Sequence, residues 1–327
     1  MNEVFLITGS AGFIGFHLSK RLLDMGYKVI GYDNINDYYD KNLKYLRINL
    51  LNGYDNFKFY HNDICDYTSL DKVVMKNQVN FVLHLAAQAG VRYSLTHPEK
   101  YIESNIVGTF HILEVCKKYG IGQLMYASSS SVYGNSTEEK LSTDHMTDSP
   151  ISLYSATKKS NELFAHVYSD NYKIDTLGMR FFTVYGPYGR PDMAYFKFIE
   201  KLYHGEEIEV YNYGNQYRDF TYIDDLIEGI IRLIKLQISK EVNGDYKIYN
   251  IGNGNPTKLM DFIQILEKIT GKKANIKLCE RKQGDVDRTY ADISKIRRDT
   301  GFCPKIKIED GLNEFHNWYV KNYLGKE

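Results

Sequence analysis

Three residues of this chain, Ser129, Tyr154 and Lys158, have the types and spacing needed to remove a proton from a hydroxyl group. Tyr154 and Lys158 are four positions apart, so on a helix they lie on the same face. A lysine ammonium beside a phenol favours the phenolate and lowers a pKa that is ordinarily about 10. The pattern therefore predicts Tyr154 as a general base supported by Lys158, with Ser129 contributed from upstream.

A second pair with the same spacing, Tyr54 and Lys58, has a different context. It spans the turn-forming stretch LNGYDN and the strand pattern FKFY, where no helix aligns the two side chains. Tyr154 instead lies in LYSATKKSNELFAHVY, whose apolar residues repeat at helical spacing. The apolar run QLMYASSS predicts a strand that ends near Ser129. We therefore expect a strand end and a helix start to meet at one catalytic site.

The segment EVFLITGSAGFIGFHLSKRLLDMGYKVIGYD predicts a strand, a glycine-rich turn, a helix and a second strand ending at Asp33. In this context Gly9 permits a tight turn, Gly12 a close approach to a pyrophosphate, and Gly15 close helix packing. A carboxylate at the end of the second strand accepts hydrogen bonds from an adenosine ribose and repels a 2′-phosphate. The segment predicts a dinucleotide site that prefers NAD over NADP.

Strands alternate with helices through the first half, which predicts an α/β fold with a Rossmann-type, doubly wound parallel sheet whose ligand lies at the carboxyl ends of the strands. Asp63 and Ile64 follow one strand and are expected beside the adenine; Leu85 to Ala87 follow another and are expected along the pyrophosphate. The predicted cofactor contacts are Gly9, Gly12, Phe13, Ile14, Gly15, Asp33, Asn34, Asp63, Ile64, Leu85, Ala86, Ala87, Asn105, Tyr154 and Lys158.

Composition argues against several classes of protein. The chain has 327 residues with 41 basic and 41 acidic side chains, a formal net charge of +0, so its charge does not favour nucleic acid or an anionic membrane. No apolar run reaches the length of a membrane span, and the chain opens directly on a strand pattern, so we expect a cytoplasmic protein. The four cysteines lack metal-type spacing, so no metal is expected. His84, within an apolar strand, is interpreted as a core residue.

The motifs GSAGFIG, ASSSSVYG and YSATK, together with Asp33, resemble those of the extended short-chain dehydrogenase/reductase family of nucleotide-sugar epimerases and dehydratases. The resemblance covers nearly the whole chain, since RFFTVYGPYGRPDMA, YRDFTYIDDL, NIGNG and GDVDRTYAD follow in the family's order. DNINDYYD, LAAQAGVRYSL and VYGPYGRPDMA are most similar to the UDP-glucuronate 4-epimerases of that family. The resemblance implies an NAD-binding Rossmann domain over 1–180, with chain returns near 219–252, and a smaller α/β substrate lobe for the nucleotide sugar over 181–327.

The reaction implied by the resemblance inverts C4 of UDP-glucuronate to give UDP-galacturonate, with no net redox change. Tyr154 removes the 4-hydroxyl proton while a hydride passes to tightly bound NAD, and both return after the 4-keto sugar has turned its other face. Lys158 also anchors the nicotinamide ribose, and Ser129 hydrogen-bonds the 4-oxygen. The alternatives are a 4-epimerase of UDP-glucose or UDP-N-acetylglucosamine, a net NAD-dependent nucleotide-sugar oxidoreductase, and a non-catalytic NAD-sensing module.

A uronic acid substrate is favoured by the residues around the serine. A 4-keto uronic acid is a β-keto acid that tends to lose carbon dioxide, and related decarboxylases and dehydratases carry an acidic residue where SSSSVYG has Ser131. Ser130, Ser131, Thr183 and Arg190 instead offer donors suited to a carboxylate. Galactose-type epimerases commonly have an amide at the position of Thr183. Arg190 could equally fix its own loop.

The second half supplies cations that are expected to bind the diphosphate. Family placement favours Arg218; Lys197, Arg281 and Lys282 are further candidates, and each could equally be a surface charge. The stretch ERKQGDV is more polar than the family pattern, which leaves the roles of Arg281 and Lys282 open. The predicted substrate contacts are Arg92, Ser129, Ser130, Ser131, Tyr154, Thr183, Arg190, Lys197, Arg218 and Arg281.

Other residues of the second half receive structural interpretations. Tyr211 is interpreted as a half-buried strand aromatic, with stacking near the uracil as the alternative. Asp224 and Asp225 are interpreted as carboxylates at a helix start rather than as a catalytic pair. The helices expected near 98–119 and 153–172 resemble those that pair into a four-helix interface in the family, so we expect a homodimer.

Overall fold

The computed structural model describes residues 3–281 and 286–325. The chain divides into two compact units. Unit 1 consists of Met1–Ser136, Thr143–Phe181 and Ile230–Tyr249, and unit 2 of Thr137–Ser142, Phe182–Gly229 and Asn250–Glu327. The assignment of cofactor binding to 1–180 and of sugar-nucleotide binding to 181–327 stays a prediction.

The strands are short, as is usual for an α/β fold. They are β1 (Val4–Thr8), β2 (Lys28–Asp33), β3 (Phe57–His61), β4 (Phe81–His84), β5 (Gln123–Ser129), β6 (Asp175–Phe181), β7 (Thr183–Tyr185), β8 (Glu207–Val210), β9 (Tyr217–Arg218), β10 (Phe220–Tyr222), β11 (Tyr246–Ile251), β12 (Thr257–Lys258) and β13 (Asn275–Leu278).

Helices separate most of these strands. They are α1 (Phe13–Asp24), α2 (Lys41–Leu51), α3 (Tyr67–Asn77), α4 (Tyr93–Thr96), α5 (Pro98–Tyr101), α6 (Gly108–Tyr119), α7 (Leu153–Tyr172), α8 (Ala194–His204), α9 (Ile223–Ile238), α10 (Leu259–Thr270), α11 (Ser294–Thr300) and α12 (Ile308–Tyr323). A π-helical segment, Ile102–Val107, joins α5 to α6, and 3-10 turns form at Ser130–Tyr133 and Tyr211–Gly214.

Unit 1 is built on a seven-stranded sheet with the order β11-β6-β5-β4-β1-β2-β3. The pairs β1–β2, β1–β4, β2–β3, β4–β5 and β5–β6 are all parallel. The strand order runs in opposite directions on the two sides of β1, which makes the carboxyl ends of β1 and β4 the topological switch point where such sheets bind ligands. The predicted Rossmann-type doubly wound sheet is confirmed.

The core of unit 1 explains why its strands read as continuous apolar runs. Leu6 of β1, Val82 of β4 and Leu124 of β5 are almost completely buried, and Ile112 and Val115 of α6 belong to the same cluster. A parallel sheet covered by helices buries both of its faces, so neither face needs polar side chains. The sheet therefore provides a rigid support for residues at its carboxyl edge.

Unit 2 has its own aromatic core and a buried carboxylate that binds two backbone amides. Phe196 of α8 packs against Phe315 and Tyr319 of α12, with ring centroids 5.5 and 5.6 Å apart. The Asp225 carboxylate, in the first turn of α9, accepts hydrogen bonds from the backbone N–H groups of Lys305 and Ile306. This confirms the structural interpretation of that acidic pair as carboxylates at a helix start.

Within residues 3–281 and 286–325, no helix combines the length and apolar character needed to cross a membrane.

Candidate active site

The predicted catalytic residues of unit 1 lie on two regular elements. Ser129 is the last residue of β5, and Tyr154 and Lys158 occupy the first turns of α7. The helix begins where it does because the Ser152 hydroxyl caps it, accepting a hydrogen bond from the Ser155 amide at 3.1 Å. The predicted strand end, helix and one-turn spacing are thus confirmed, while the roles of the three side chains stay predictions.

Lys158 is buried, and its ammonium points toward the sheet. Its Nζ donates a hydrogen bond to the carbonyl oxygen of Ala127 at 2.8 Å, and 3% of the residue is exposed. Burial disfavours the charged amine and lowers the pKa of Lys158 to about 8. The bond to Ala127 also ties α7 to the end of β5, two residues before Ser129.

The serine cluster forms a tight turn after β5. The Ser129 hydroxyl oxygen accepts a hydrogen bond from the Ser131 amide at 3.1 Å, which starts the 3-10 turn Ser130–Tyr133. The Ser131 hydroxyl is buried and has no hydrogen-bond partner among the residues that the structure describes. A buried hydroxyl without a partner is costly, so this atom is suited to meet a ligand group.

The glycine-rich turn has the geometry of a phosphate-binding loop. Gly9 has a φ of +74°, and a Cβ there would lie 2.7 Å from the Ala86 nitrogen. A Cβ on Gly15 would lie 2.0 Å from the Gly9 carbonyl oxygen. Gly12 precedes α1, whose first turn is capped by no side chain in the described part of the chain. The free amides there, which include those of Phe13 and Ile14, fit a pyrophosphate.

Asp33 ends β2 and is partly buried. Its carboxylate accepts hydrogen bonds from the Ala11 amide at 3.0 Å and the Ile35 amide at 2.8 Å. Burial raises the pKa of Asp33, and these amides act against that shift. The Asn34 side-chain amide donates to the Asp63 carboxylate at 2.7 Å. The structure thus brings Asn34 and Asp63 together next to Asp33, as expected for residues at neighbouring strand ends.

Two buried cations beside Asp33 were missed by the sequence analysis. Lys44 Nζ donates to the backbone and side-chain oxygens of Asn36 at 2.8 and 2.6 Å. Arg47 Nη1 donates to the Ala11 carbonyl oxygen and the Tyr39 hydroxyl at 2.8 and 2.6 Å. The helical spacing of the sequence could have revealed both residues, because they fall on the apolar face of α2 with Leu43, Ile48 and Leu51. They offset the Asp33 charge and hold the glycine-rich turn.

The side chain of Asn105, which is predicted to contact the cofactor, is hydrogen-bonded to other residues of the chain. It is fully buried, and its Oδ1 accepts from the Gln88 amide at 2.8 Å. Its Nδ2 donates to the Gln88 carbonyl oxygen and the Thr157 hydroxyl, both at 3.0 Å. Both donor hydrogens are therefore used in joining the π-helical segment to α7 and to the loop after β4, so Asn105 can meet a ligand only as an acceptor.

The other predicted contacts of unit 1 have varied surroundings. The Ala86 amide donates to the Thr8 hydroxyl at 3.2 Å, and that hydroxyl is 2.8 Å from His84 Nδ1. The other ring nitrogen of His84 is 3.1 Å from the Thr109 hydroxyl, and burial lowers its pKa to about 3. The interpretation of His84 as a satisfied core histidine is confirmed. Arg92, at the start of α4, is exposed.

In unit 2, Arg190 is engaged by a neighbour in the chain. Its Nε and Nη2 donate to the two carboxylate oxygens of Asp192 at 3.0 and 2.6 Å. Its backbone amide donates to the Tyr195 hydroxyl at 3.1 Å. Thr183 begins β7, and its amide donates to the Asp219 carbonyl oxygen at 3.1 Å. A ligand carboxylate at Arg190 would share the guanidinium with Asp192 or displace it.

The predicted diphosphate cations are grouped only in part. Arg218 Nη1 donates to the carbonyl oxygen of Asp287 at 3.3 Å, and Arg281 Nε is 3.4 Å from the Asp287 carboxylate. The structure thus brings Arg218 and Arg281 to the same residue. Lys197 is an exposed residue of α8. Lys282 lies outside the described residues.

The structure of unit 2 differs from the sequence interpretation at Tyr211 and adds Arg288, which the sequence analysis did not name. Tyr211 belongs to a 3-10 turn, because β8 ends at Val210 and Asn212 and Tyr213 have positive φ angles of 51°. The strand interpretation of Tyr211 is therefore wrong, although the residue is partly buried. Arg288 lies over the rings of Tyr217 and Tyr290, with its guanidinium carbon 5.8 and 5.3 Å from their centroids.

All four cysteines are free, and the described residues contain no group of acidic, histidine or cysteine side chains that could hold a metal ion.

Comparison with known proteins gives the family. The model of the GDP-mannose 4,6 dehydratase family matches residues 6–315, and the chain belongs to this family. The resemblance to extended short-chain dehydrogenases/reductases is confirmed. The chain is 49% identical to protein CapI of Staphylococcus aureus over 330 residues, 97% of this chain and 98% of that protein.

Relatives that are named for a single activity match this chain over a similar share of its length. A UDP-glucuronate 4-epimerase of Thermodesulfobacterium geofontis is 43% identical over 319 residues, 97% of this chain and 96% of that protein. The crystal structure of UDP-glucuronic acid 4-epimerase from Bacillus cereus in complex with UDP-glucuronic acid and NAD is 35% identical, with a TM-score of 0.91. That similarity covers 98% of this chain and 100% of the crystallised one.

Proposed function

We propose that this chain is an NAD-dependent epimerase that inverts C4 of UDP-glucuronate to give UDP-galacturonate. The observation that carries the proposal is the arrangement of Ser129 at the end of β5 with Tyr154 and Lys158 one turn apart on α7. Relatives named UDP-glucuronate 4-epimerase support the substrate, and a solved structure of one holds both UDP-glucuronic acid and NAD.

Side chains of the protein accept the proton from the sugar and return it. Tyr154 accepts the proton of the sugar 4-hydroxyl and returns it after the sugar has turned over. The buried ammonium of Lys158 favours the ionised phenol, and the Ser129 hydroxyl donates a hydrogen bond to the sugar 4-oxygen. NAD, when bound, supplies the acceptor and donor for the hydride at C4. Proton and hydride both return, so the products are isomers of the substrate.

The cofactor is assigned to the carboxyl edge of the unit 1 sheet. The uncapped first turn of α1 binds the pyrophosphate through its amides, and Gly9 and Gly12 allow the close approach. The Asp33 carboxylate accepts hydrogen bonds from the hydroxyl groups of the adenosine ribose. Asp63 and Ile64 flank the adenine, while Leu85, Ala86 and Ala87 lie along the pyrophosphate. These roles fit NAD because Asp33 also repels a 2′-phosphate.

The acidic sugar is favoured by donors that suit a carboxylate. The Ser131 hydroxyl is buried without a hydrogen-bond partner in the described part of the chain, and it gains one if it donates to the substrate carboxylate. Ser130, Thr183 and Arg190 are the other proposed carboxylate ligands, and Arg218, Arg281 and Lys197 the proposed diphosphate ligands. Holding the carboxylate out of line with the ketone prevents loss of carbon dioxide from the intermediate.

The proposal includes a homodimer. Apolar side chains are exposed on the helical stretch through residues 102–110 and on α7; they are Ile102, Val107, Phe110, Leu163 and Val167, 37–53% exposed. A second copy of the chain that covers them removes this apolar surface from water. A cytoplasmic location is also proposed, because four unpaired cysteines are typical of a reducing compartment.

The proposal is tested by proton NMR of UDP-glucuronate, UDP-glucose and UDP-N-acetylglucosamine incubated in parallel with the purified protein. No cofactor is added. We expect UDP-galacturonate over many turnovers, without accumulated NADH. Preferred turnover of either neutral sugar would contradict the carboxylate argument, and a requirement for stoichiometric NAD would indicate a net oxidoreductase. Cofactor binding without turnover of any sugar would indicate an NAD-sensing module.

A further inference from the structure

A buried carboxylate, Glu162, joins three elements of unit 1. It projects from α7 and accepts a hydrogen bond from the Ser128 hydroxyl of β5 at 2.6 Å. The same carboxylate accepts two hydrogen bonds from Arg180 of β6, from Nε to Oε1 and from Nη2 to Oε2, both at 2.8 Å. The side chains of Arg180 and Glu162 are 3% and 1% exposed. A single group thus fixes the separation of β5, β6 and α7.

Two of the three residues are close in the chain to proposed catalytic residues, and the third, Arg180, pairs with one of those two. Ser128 immediately precedes Ser129, and it pairs with Arg180 in the parallel register of β5 and β6. Glu162 lies one helical turn after Lys158 and two turns after Tyr154. The Glu162 contacts therefore fix the end of β5, which carries the serine, relative to the helix face that carries the tyrosine and the lysine.

The arginine also supports the turn that follows Ser129. The guanidinium carbon of Arg180 lies over the Tyr133 ring, 4.8 Å from its centroid. Tyr133 is the last residue of the 3-10 turn that contains Ser130 and Ser131. The position of this turn thus depends on the same buried ion pair.

A buried ion pair is a poor means of stabilising a fold. The desolvation of both charges offsets most of their attraction, and well-packed apolar residues of similar volume often serve stability as well or better. What such a pair provides is a fixed distance and orientation, since the two-pronged contact of Arg180 with Glu162 permits one geometry.

We propose that Glu162, together with Ser128 and Arg180, positions Ser129 and the turn after it against Tyr154 and Lys158 for the epimerase reaction. This inference rests on the proposed function. The three residues touch neither the reacting atoms nor the cofactor in this role; they act through the backbone of β5 and through α7.

Positioning of this kind affects the rate of the chemical step more than binding of the substrate. In the proposed reaction Ser129 and Tyr154 contact one oxygen of the sugar, whereas the proposed diphosphate ligands are cations of unit 2. Displacement of a reacting group by about 1 Å costs about 100-fold in rate. Loss of the Glu162 contacts should consequently lower kcat and leave KM nearly unchanged.

The experiment compares Ser128→Ala and the double variant Glu162→Met with Arg180→Met against a control, Asp175→Asn. Asp175 is a fully buried carboxylate at the other end of β6, where its Oδ1 accepts from the amides of Asn243, Gly244 and Asp245 at 3.0, 2.8 and 2.8 Å. The amide oxygen of asparagine can still accept these three bonds, so the control removes a buried charge on the same strand, with its 3.3 Å ion pair to Lys240, and spares the backbone contacts. Steady-state kinetics with UDP-glucuronate and thermal unfolding are measured for each, with kcat expressed per bound NAD.

We expect kcat to fall about fivefold in Ser128→Ala, the loss of one hydrogen bond, and about 100-fold in the double variant. KM should stay within threefold, and Asp175→Asn should keep the parent kcat whatever its melting temperature. If the double variant does not fold, Ser128→Ala decides alone. Parent kcat in the folded variants, or a change confined to KM, overturns the positioning role. An inactive parent enzyme would instead refute the proposed function.

Discussion

The candidate catalytic residues of unit 1 and the candidate substrate cations of unit 2 are held in different ways. Lys158 is buried and bonded to the Ala127 carbonyl oxygen, on a helix fixed to the sheet. The side chains of Arg190 and Arg281 are 22% and 47% exposed, and each is paired with an aspartate near it in the chain. Burial makes electrostatic interactions strong, whereas exposed charges are weakened by water. Substitutions in unit 1 should therefore change the rate, and those in unit 2 mainly substrate affinity.

The largest effect is expected for Tyr154→Phe, which removes the proposed base. We expect kcat to fall by about 1,000-fold or more, the upper range for general acid–base catalysis, with little change in the affinity for UDP-glucuronate. Tyr54→Phe is the matched control, because Tyr54 has the same spacing to a lysine but hydrogen-bonds the Asp24 carboxylate outside any helix. Comparable losses in both variants, measured by NMR turnover, would count against the role of Tyr154.

An intermediate effect is expected from the protonation of Lys158. Burial lowers the pKa of its ammonium to about 8, so the amine is charged below that pH and neutral above it. In the proposed mechanism the charged form supports ionisation of Tyr154, so kcat should decline as the pH rises through about 8. Lys158→Arg should be less active but should keep its charge, which moves the decline to higher pH. A kcat–pH profile from pH 6 to 10 with the same alkaline decline in both enzymes would contradict this assignment.

A smaller effect is expected for Arg190→Ala in unit 2. Loss of a charge-assisted contact with the sugar carboxylate should raise the KM for UDP-glucuronate about 10- to 100-fold and leave kcat within a few fold. The inhibition constant of UDP, which lacks the carboxylate, should change little. Arg298→Ala is the control, since Arg298 is an exposed residue of α11 paired with its neighbour Asp299. Equal weakening of UDP and UDP-glucuronate would show that Arg190 only fixes its loop.

The same contrast separates what the sequence could predict from what it could not. Local signals sufficed for the sheet, for α7 and for the end of β2 at Asp33, because apolar periodicity and the glycine turn act over a few residues. The serine at the end of β5 was placed for the same reason. These are the elements of unit 1 on which the proposed chemistry depends.

Side-chain partners were harder to predict, because they depend on the packed structure. Glu162 and Arg180 meet only once α7 has packed against β6. Arg190 turns to Asp192, two residues away, a choice that the sequence left open between a ligand and its own loop. Tyr211 was placed in a strand because alternation alone does not show where positive φ angles end β8.

In the proposed reaction one hydride leaves C4 of the sugar and returns to the same carbon. UDP-glucuronate carrying deuterium at C4, incubated with the purified enzyme in ordinary water with excess unlabelled NADH, tests it directly. Mass spectrometry and NMR of the product should show UDP-galacturonate that retains the deuterium at C4. Product with protium at C4, taken from water or from added NADH, would contradict an internal hydride transfer at tightly bound NAD.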